Sequence, residues 1–296
     1  MQKILLIMVL AVTMTAFGAE AKTWNVYPNG SGRTPTIQSA VDSAVSGDVI
    51  LIAAGVYHQG NIVIDGKMLT IDQIQQAYLV APLAGNGTGI TIRNVNVPGF
   101  MLNSLTFRGF ETAVAVENAS AFIQYITVKT CTRGVTISGA SSAPTVWFCL
   151  VDSCGTGIEV QGGGPVLLWN ETIVNCSTGA RFLGGSTTFT RNIVYHASTG
   201  MQCSGGSVTG SCNNFYLNTS NYGGCTPGTN DFYLNPMFCF WKPPAPSSYW
   251  LHVDSPCFVT ASNPCGVRVG AFTSAAGCSG AATEHTTWGA IKGIYR

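Results

Sequence analysis

Charge is what this sequence has least of. Asp, Glu, Lys and Arg make up 9 % of its 296 residues, 14 basic against 13 acidic, and they form no like-charge run. A near-neutral chain without a basic stripe lacks the electrostatic footprint of a nucleic-acid-binding protein. Glu, Lys and Arg are also strong helix formers, and no sustained 3.6-residue apolar period is present, which excludes a helical bundle or helical repeat. Beyond residue 14 no apolar run is long enough to span a membrane. The four histidines stand in no Cys or Asp arrangement with zinc-site spacing.

What the sequence has instead is glycine, 35 residues, and cysteine, 11 residues. The N-terminus reads as an export signal. Met1-Gln2-Lys3 supplies a positive start, residues 4–14 an apolar stretch, and Ala19-Glu20-Ala21 a small-x-small cleavage site, so residues 1–21 are expected to be removed. Eleven cysteines in an exported chain allow disulfides.

One five-residue phrase returns six times: TGITI from Thr88, TAVAV from Thr112, RGVTI from Arg133, TGIEV from Thr156, TGARF from Thr178 and TGMQC from Thr199. The spacings are 24, 21, 23, 22 and 21 residues. A period near 22 built on β-branched residues, without a leucine-rich frame, predicts a β-solenoid with one coil per repeat. Alternation within each phrase puts Ile90 and Ile92, Val114 and Val116, Val135 and Ile137, Ile158 and Val160, Ala180 and Phe182, and Met201 and Cys203 inward. Each coil then reads turn, second strand, tight turn, third strand. Asn103, Gln124, Asn170, Asn192 and Asn214 are expected to stack as an amide ladder in the tight turn, and Phe110, Cys131, Cys154, Cys176 and Ala197 to form an inward column of small or apolar groups.

The expected architecture is all-β, a right-handed parallel β-helix with three short strands per ~22-residue coil and a short N-terminal capping helix over 36–45. The chain divides into a signal peptide (1–21), an N-terminal cap (22–48), coils (49–218), a Cys-containing C-terminal cap (219–282) and a tail (283–296). The cap cysteines are expected to pair locally, Cys257 with Cys265, Cys212 with Cys225 and Cys239 with Cys278, although spacing alone does not determine connectivity.

The stretch TIQSAVDSAVSGDVILIAAGVYHQGNIVIDGKMLTI, residues 36–71, resembles the N-terminal cap and first coil of the pectin-lyase-like parallel β-helix superfamily. NPMFC from Asn235, DSPC from Asp254, NPCGVRVGAF from Asn263, GC at Gly277 and the terminal TTWGAIKGIYR resemble a subset of exported bacterial β-helix repeat proteins. The resemblance covers nearly all of the mature chain. It implies the fold rather than an activity, because the superfamily holds lyases, hydrolases, esterases, epimerases and non-catalytic proteins.

The resemblance also implies that an active site would lie on the outward face of the sheet formed by the phrase. Its outward columns read Thr91, Ala115, Thr136, Glu159, Arg181, Gln202 and Arg93, Glu117, Ser138, Gln161, Leu183, Ser204. Glu159 and Arg181 are one coil apart, as are Arg93 and Glu117, so each couple can form a cross-strand ion pair. In a catalytic reading Glu159 is the acid or base and Arg181 holds an acidic sugar carboxylate. Gln161 and Gln202 complete the substrate-binding set on this face. Trp147 and Trp169, at equivalent places in adjacent coils with Leu102 and Ile123 before and Arg191 after, form either a sugar platform or part of the core. The clustered Asp motifs of polygalacturonase-like enzymes and the motifs of pectin methylesterases are missing, and no carboxylate set converges for calcium, so no cofactor is expected and calcium stays an unsupported alternative. The sequence therefore predicts a secreted or cell-surface monomer that binds polysaccharide, a cell-surface glycan or other surface material, without an assignable catalytic centre. Its alternative is a polysaccharide lyase or glycoside hydrolase using Glu159 and Arg181.

Overall fold

The computed structural model describes residues 21–95, 99–239, 249–259 and 263–272. Residues 1–20, Cys278 and the tail at 283–296 lie outside them. The chain is a parallel β-helix of three sheets. Sheet I has nine strands, from Thr23–Val26 to Ser207–Ser211; sheet II has eight, from Gly55–Tyr57 to Asn214–Tyr216; sheet III has eight, from Ile62–Asp65 to Ser220–Gly223. Each coil passes from sheet I through sheet II to sheet III, and every strand pairs in parallel with its equivalent one coil away. The first strand, Thr23–Val26, pairs with Val49–Ile52, so the solenoid begins inside the segment expected to be only a cap.

The inward residues of the phrases are buried, Ile90, Val114, Val135, Ile158 and Ala180 among them, and form one continuous core with Leu79, Phe107, Phe182 and Phe189. Burying such side chains stabilises by about 1.5–3 kcal/mol each. The short helix α1 (Ile37–Ser43) closes the N-terminal end: Thr36 caps it in a reciprocal box with Ser39, and Ile37, Ala40 and Val41 face the core.

The glycine of the phrase has a steric cause. A Cβ on Gly89 would lie 2.5 Å from the Ala113 carbonyl oxygen, one on Gly179 2.5 Å from that of Gly200, and one on Gly200 2.8 Å from that of Asn221. At this position each coil presses backbone onto backbone, which leaves little space for a side chain.

From the coil that begins at Phe100 onward, two turns per coil are tight, each with a single left-handed residue. Between sheets I and II these are Ser104, Tyr125, Phe148, Asn170, Arg191 and Cys212; between sheets II and III they are Gly109, Thr130, Ser153, Asn175, His196 and Leu217. The residue after the first of these turns enters the interior, and it, rather than the expected column, builds the polar ladder. Asn192 Nδ2 and its backbone N–H both donate to Asn213 Oδ1, at 3.1 and 3.0 Å; Asn213 donates in turn to Asp231; and Glu171 N–H donates to Asn192 Oδ1 at 2.7 Å. Of the amides expected to stack, only Asn192 belongs to this ladder. Asn103 and Gln124 end strands of sheet I, Asn170 is the left-handed turn residue, and Asn214 opens a strand of sheet II. Counting along strands shifts the others because the left-handed residue consumes one position.

The ladder ends at Glu171, which is fully buried and whose Oε2 accepts from the Cys149 N–H at 2.8 Å while Oε1 has no partner. Burial raises the Glu171 pKa well above 4.5, against the lowering effect of the Cys149 hydrogen bonds. The cysteine column is a ladder of free, buried thiols: Cys131, Cys154 and Cys176 each donate to the carbonyl two residues earlier. The Cys154 pKa is lowered by contact with Cys131, but contact with Cys176 and burial raise it to about 12, so Cys154 is a protonated packing group.

The Cys-rich region does not simply cover the end of the stack. It folds back along the outer face of sheet II, where Phe232, Phe238, Tyr249, Leu251 and Val269 pack on Leu150, Val174, Ile193 and Tyr195. Cys212 pairs with Cys265, Cα–Cα 5.8 Å, and Cys203 with Cys225, Cα–Cα 5.0 Å. The expected Cys257–Cys265 and Cys212–Cys225 pairings are thus replaced. Cys257 is buried as a free thiol that accepts from Asn214 Nδ2 at 3.2 Å, and the fold-back carries Cys265 to the turn at Cys212. Cys225 meets Cys203 because their separation, 22 residues, is one coil. Cys239 is also disulfide-bonded.

Two stability measurements follow. Gly179→Ala places a methyl between the Gly200 carbonyl and Val194, and denaturant unfolding should show a loss of about 1–3 kcal/mol. Glu171 has a raised folded-state pKa, so its contribution is present below the unfolded value of 4.5 and is lost as pH rises toward the folded one. Glu171→Gln should therefore become progressively more stable relative to the parent chain as pH rises above 4.5, by up to about 1.4 kcal/mol per pH unit. A gap independent of pH would show that Glu171 is not held protonated.

Candidate functional site

The outward column of sheet III has the expected register: Thr91, Ala115, Thr136, Glu159, Arg181 and Gln202 are successive neighbours, preceded by Val63. Glu159 lies midway along its strand and is only 6 % exposed. Its Oε1 accepts from Gln161 Nε2 at 2.7 Å, and its Oε2 from Arg181 Nη1 at 3.4 Å. Arg181 Nε donates to Gln202 Oε1 at 3.1 Å. The structure thus brings four of the expected site residues, Glu159, Gln161, Arg181 and Gln202, into one hydrogen-bonded chain across three coils.

Arg93 and Glu117 are register neighbours, as expected, but they do not form the ion pair. Arg93 turns to Asp65 in the preceding coil, Nη2 to Oδ2 2.9 Å, and Asn94 adds a bond to Asp65 Oδ1 at 2.7 Å. The Asn94 hydrogen bond and the Arg93 charge hold the Asp65 carboxyl below its ordinary pKa of 3.8. Asp65 escaped the sequence reading because its strand, IVID, lacks the phrase; its register with Arg93 is the signal that identifies it. A second pair missed in the sequence, Glu111 with Arg133 at 2.6 Å, lies at the other edge of the same sheet. Lys129 and Asp152, on sheet II, are 3.9 Å apart.

Trp147 and Trp169 stand on sheet I, not beside the Glu159 group. They pair in register with Gln124 before and Thr190 after, where the sequence reading placed Ile123 and Arg191. Inward residues of that strand are Val146 and Leu168, so the indoles point outward. Their rings stack at 5.8 Å with 20° between planes; Phe122 meets Trp147 edge-on at 5.8 Å, and the Arg191 guanidinium lies 5.0 Å over Trp169. Both indole N–H groups are buried and find no acceptor. The pair is therefore held by stacking, and its outer edges rather than its ring faces meet solvent.

Chemically, the Glu159 chain is a polar seam on a flat sheet. The turns at both ends of these strands are short, so among the described residues no loop rises beside it to form a wall. Glu117, the next carboxylate on this face, is two coils away in the other column, about 10 Å along the stack by strand spacing. That is beyond the roughly 6.5–9.5 Å that inverting hydrolysis uses. Among the described residues, no three His, Cys, Asp or Glu side chains converge as a metal set, and no helix is long and apolar enough to cross a membrane. No protein-family model matches the chain, and no curated protein matches it.

Removing Arg181 leaves the Glu159 carboxylate with Gln161 alone. Arg181→Ala should lower stability by about 1–3 kcal/mol, and adding Glu159→Gln should recover part of that loss in a double-mutant cycle. Additive losses would show that the two side chains do not interact.

Proposed function

We propose that this protein is an exported β-helix scaffold, secreted or held at the cell surface, that binds polysaccharide as a single chain without a catalytic centre. The observation that carries this reading is the outer face of sheet I. It runs uninterrupted over nine strands, about 38 Å at the spacing of parallel strands. Two columns in register line it: Met101, Phe122, Thr145, Leu167, Thr188 and Thr209, and Asn103, Gln124, Trp147, Trp169, Thr190 and Ser211. Apolar edges alternating with amides and hydroxyls, on a flat strip with charge at Asp72 and little else, match an extended chain of sugars, which presents C–H faces and hydroxyls in turn. Disulfides in two places support an oxidising compartment. The resemblance to pectin-lyase-like exported repeat proteins fits the same reading.

A second reading, a lyase or hydrolase of acidic glycans, draws on the convergence of Glu159, Gln161, Arg181 and Gln202. The burial of Glu159 and the absence of a wall around it among the described residues weigh against that reading. Affinity electrophoresis through a panel of neutral and acidic polysaccharides separates the two, with release of reducing ends and unsaturated uronides followed in parallel. Retention by one glycan, weakened about tenfold or more by Trp169→Ala or Gln124→Ala and unchanged by Glu159→Gln, is the expected result. Product release abolished by Glu159→Gln would replace this reading with the catalytic one.

A further inference from the structure

The N-terminal end holds a buried carboxylate with no counter-ion. Asp48 is 2 % exposed. Its Oδ1 accepts from the Lys22 backbone N–H at 2.8 Å; its Oδ2 accepts from Trp24 Nε1 at 2.9 Å and from the Val45 N–H at 3.0 Å. Burial acts to raise its pKa, and these bonds together with the longer-range charge of Lys22 more than compensate, holding it below 3.8. It is thus an anion, yet among the described residues no cationic group comes within ion-pair distance. The charged groups on the elements packed here point elsewhere. Arg33 lies 4.5 Å over the Trp24 ring, and the Lys67 ammonium is held by the carbonyls of Val41 and Asp42 at 2.7 and 2.9 Å.

The nearest donor is a main-chain nitrogen in a special place. Lys22 follows Ala19-Glu20-Ala21, with small residues at the first and third positions before the bond. Ala21 and Lys22 are both exposed. The Lys22 backbone is meanwhile fixed at both ends, its N–H on Asp48 and its carbonyl accepting from the Val49 N–H at 2.8 Å.

We propose that the Ala21–Lys22 peptide bond is the site of processing and that the α-ammonium released there becomes the counter-ion of Asp48. The reaction is hydrolysis by a leader endopeptidase selective for small residues. The hydroxyl of water adds to the Ala21 carbonyl carbon, the C–N bond breaks, and the Lys22 nitrogen takes the remaining proton. A further proton from solvent makes it an ammonium. A neutral amide donor at 2.8 Å is thereby exchanged for a cation at the same place, and the buried carboxylate gains the charge partner it lacks. Processing would then lock the first strand of sheet I to the turn before Val49, so that the cap is completed by cleavage.

This inference rests on the export reading, and one set of measurements separates the two. The full chain is expressed in an exporting bacterial host, and the secreted protein is analysed by whole-protein mass and N-terminal sequencing, with Lys22 expected as the first residue. The α-amine is then titrated by NMR after isotopic reductive methylation. Its pKa is expected at least about one unit above the ordinary 7.7–8.0. In Asp48→Asn that elevation should disappear; if this variant does not fold, the titration of the parent protein decides alone. A secreted chain starting elsewhere, or an α-amine with an ordinary pKa, overturns the inference and leaves export standing. A chain retained in the cell with residues 1–21 intact overturns both.

Discussion

Parallel pairing in register is the constraint from which the rest of the molecule follows. Each residue has its equivalent one coil above and one below, about 4.8 Å away, so a side chain that fits once must fit beside its own copy. Where backbones close onto one another, as at Gly89, Gly179 and Gly200, little but glycine repeats. Where a polar group is buried, its partner must lie along the stack, which is why Glu171, Asn192, Asn213 and Asp231 form one chain of hydrogen bonds. Where the buried group is a thiol, it packs on the next one, as in the Cys131, Cys154 and Cys176 column.

The same constraint distributes the faces. Sheet II is taken out of solvent over its later coils by the returning C-terminal segment, tied down by Cys212–Cys265 and by Asn170, whose side chain donates to the carbonyls of Arg268 and Gly270. Among the described residues no returning segment covers the outer faces of sheets I and III, and the two faces differ in chemistry. Sheet III gathers most of the ion pairs, Asp65 with Arg93 and Glu159 with Arg181 on its strands and Glu111 with Arg133 at its edge. Sheet I carries the stacked indoles, amides and hydroxyls. Since the turns bordering both faces are short, neither is enclosed by the described residues. A long flat strip suits a polymer contacted at many weak points, whereas catalysis at Glu159 would need water excluded from a carboxylate that is at present engaged by Gln161 and Arg181.

The solenoid, its period, its inward residues and the register of the Glu159 column were legible in the residues alone, because β-branched alternation and a fixed repeat length admit one stacking. The amphipathic face over 36–45 also marked the N-terminal cap helix, which forms over Ile37–Ser43, since such a face is a local signal. The sequence did not determine the amide ladder, because a left-handed turn residue shifts the count by one without a sequence mark when it is Tyr125, Phe148 or Arg191. The Cys203–Cys225 bridge was legible in principle from its one-coil separation, whereas Cys212–Cys265 was not. The latter joins residues 53 apart through a fold-back that only packing on Leu150, Val174, Ile193 and Tyr195 directs. Likewise, contacts across coils and turns set Arg93 on Asp65 rather than Glu117, turn Trp147 and Trp169 outward, and bring the Lys22 nitrogen to Asp48. Repeats determine what lies above and below a residue; what lies beside it, across turns and from distant segments, depends on contacts that no period encodes.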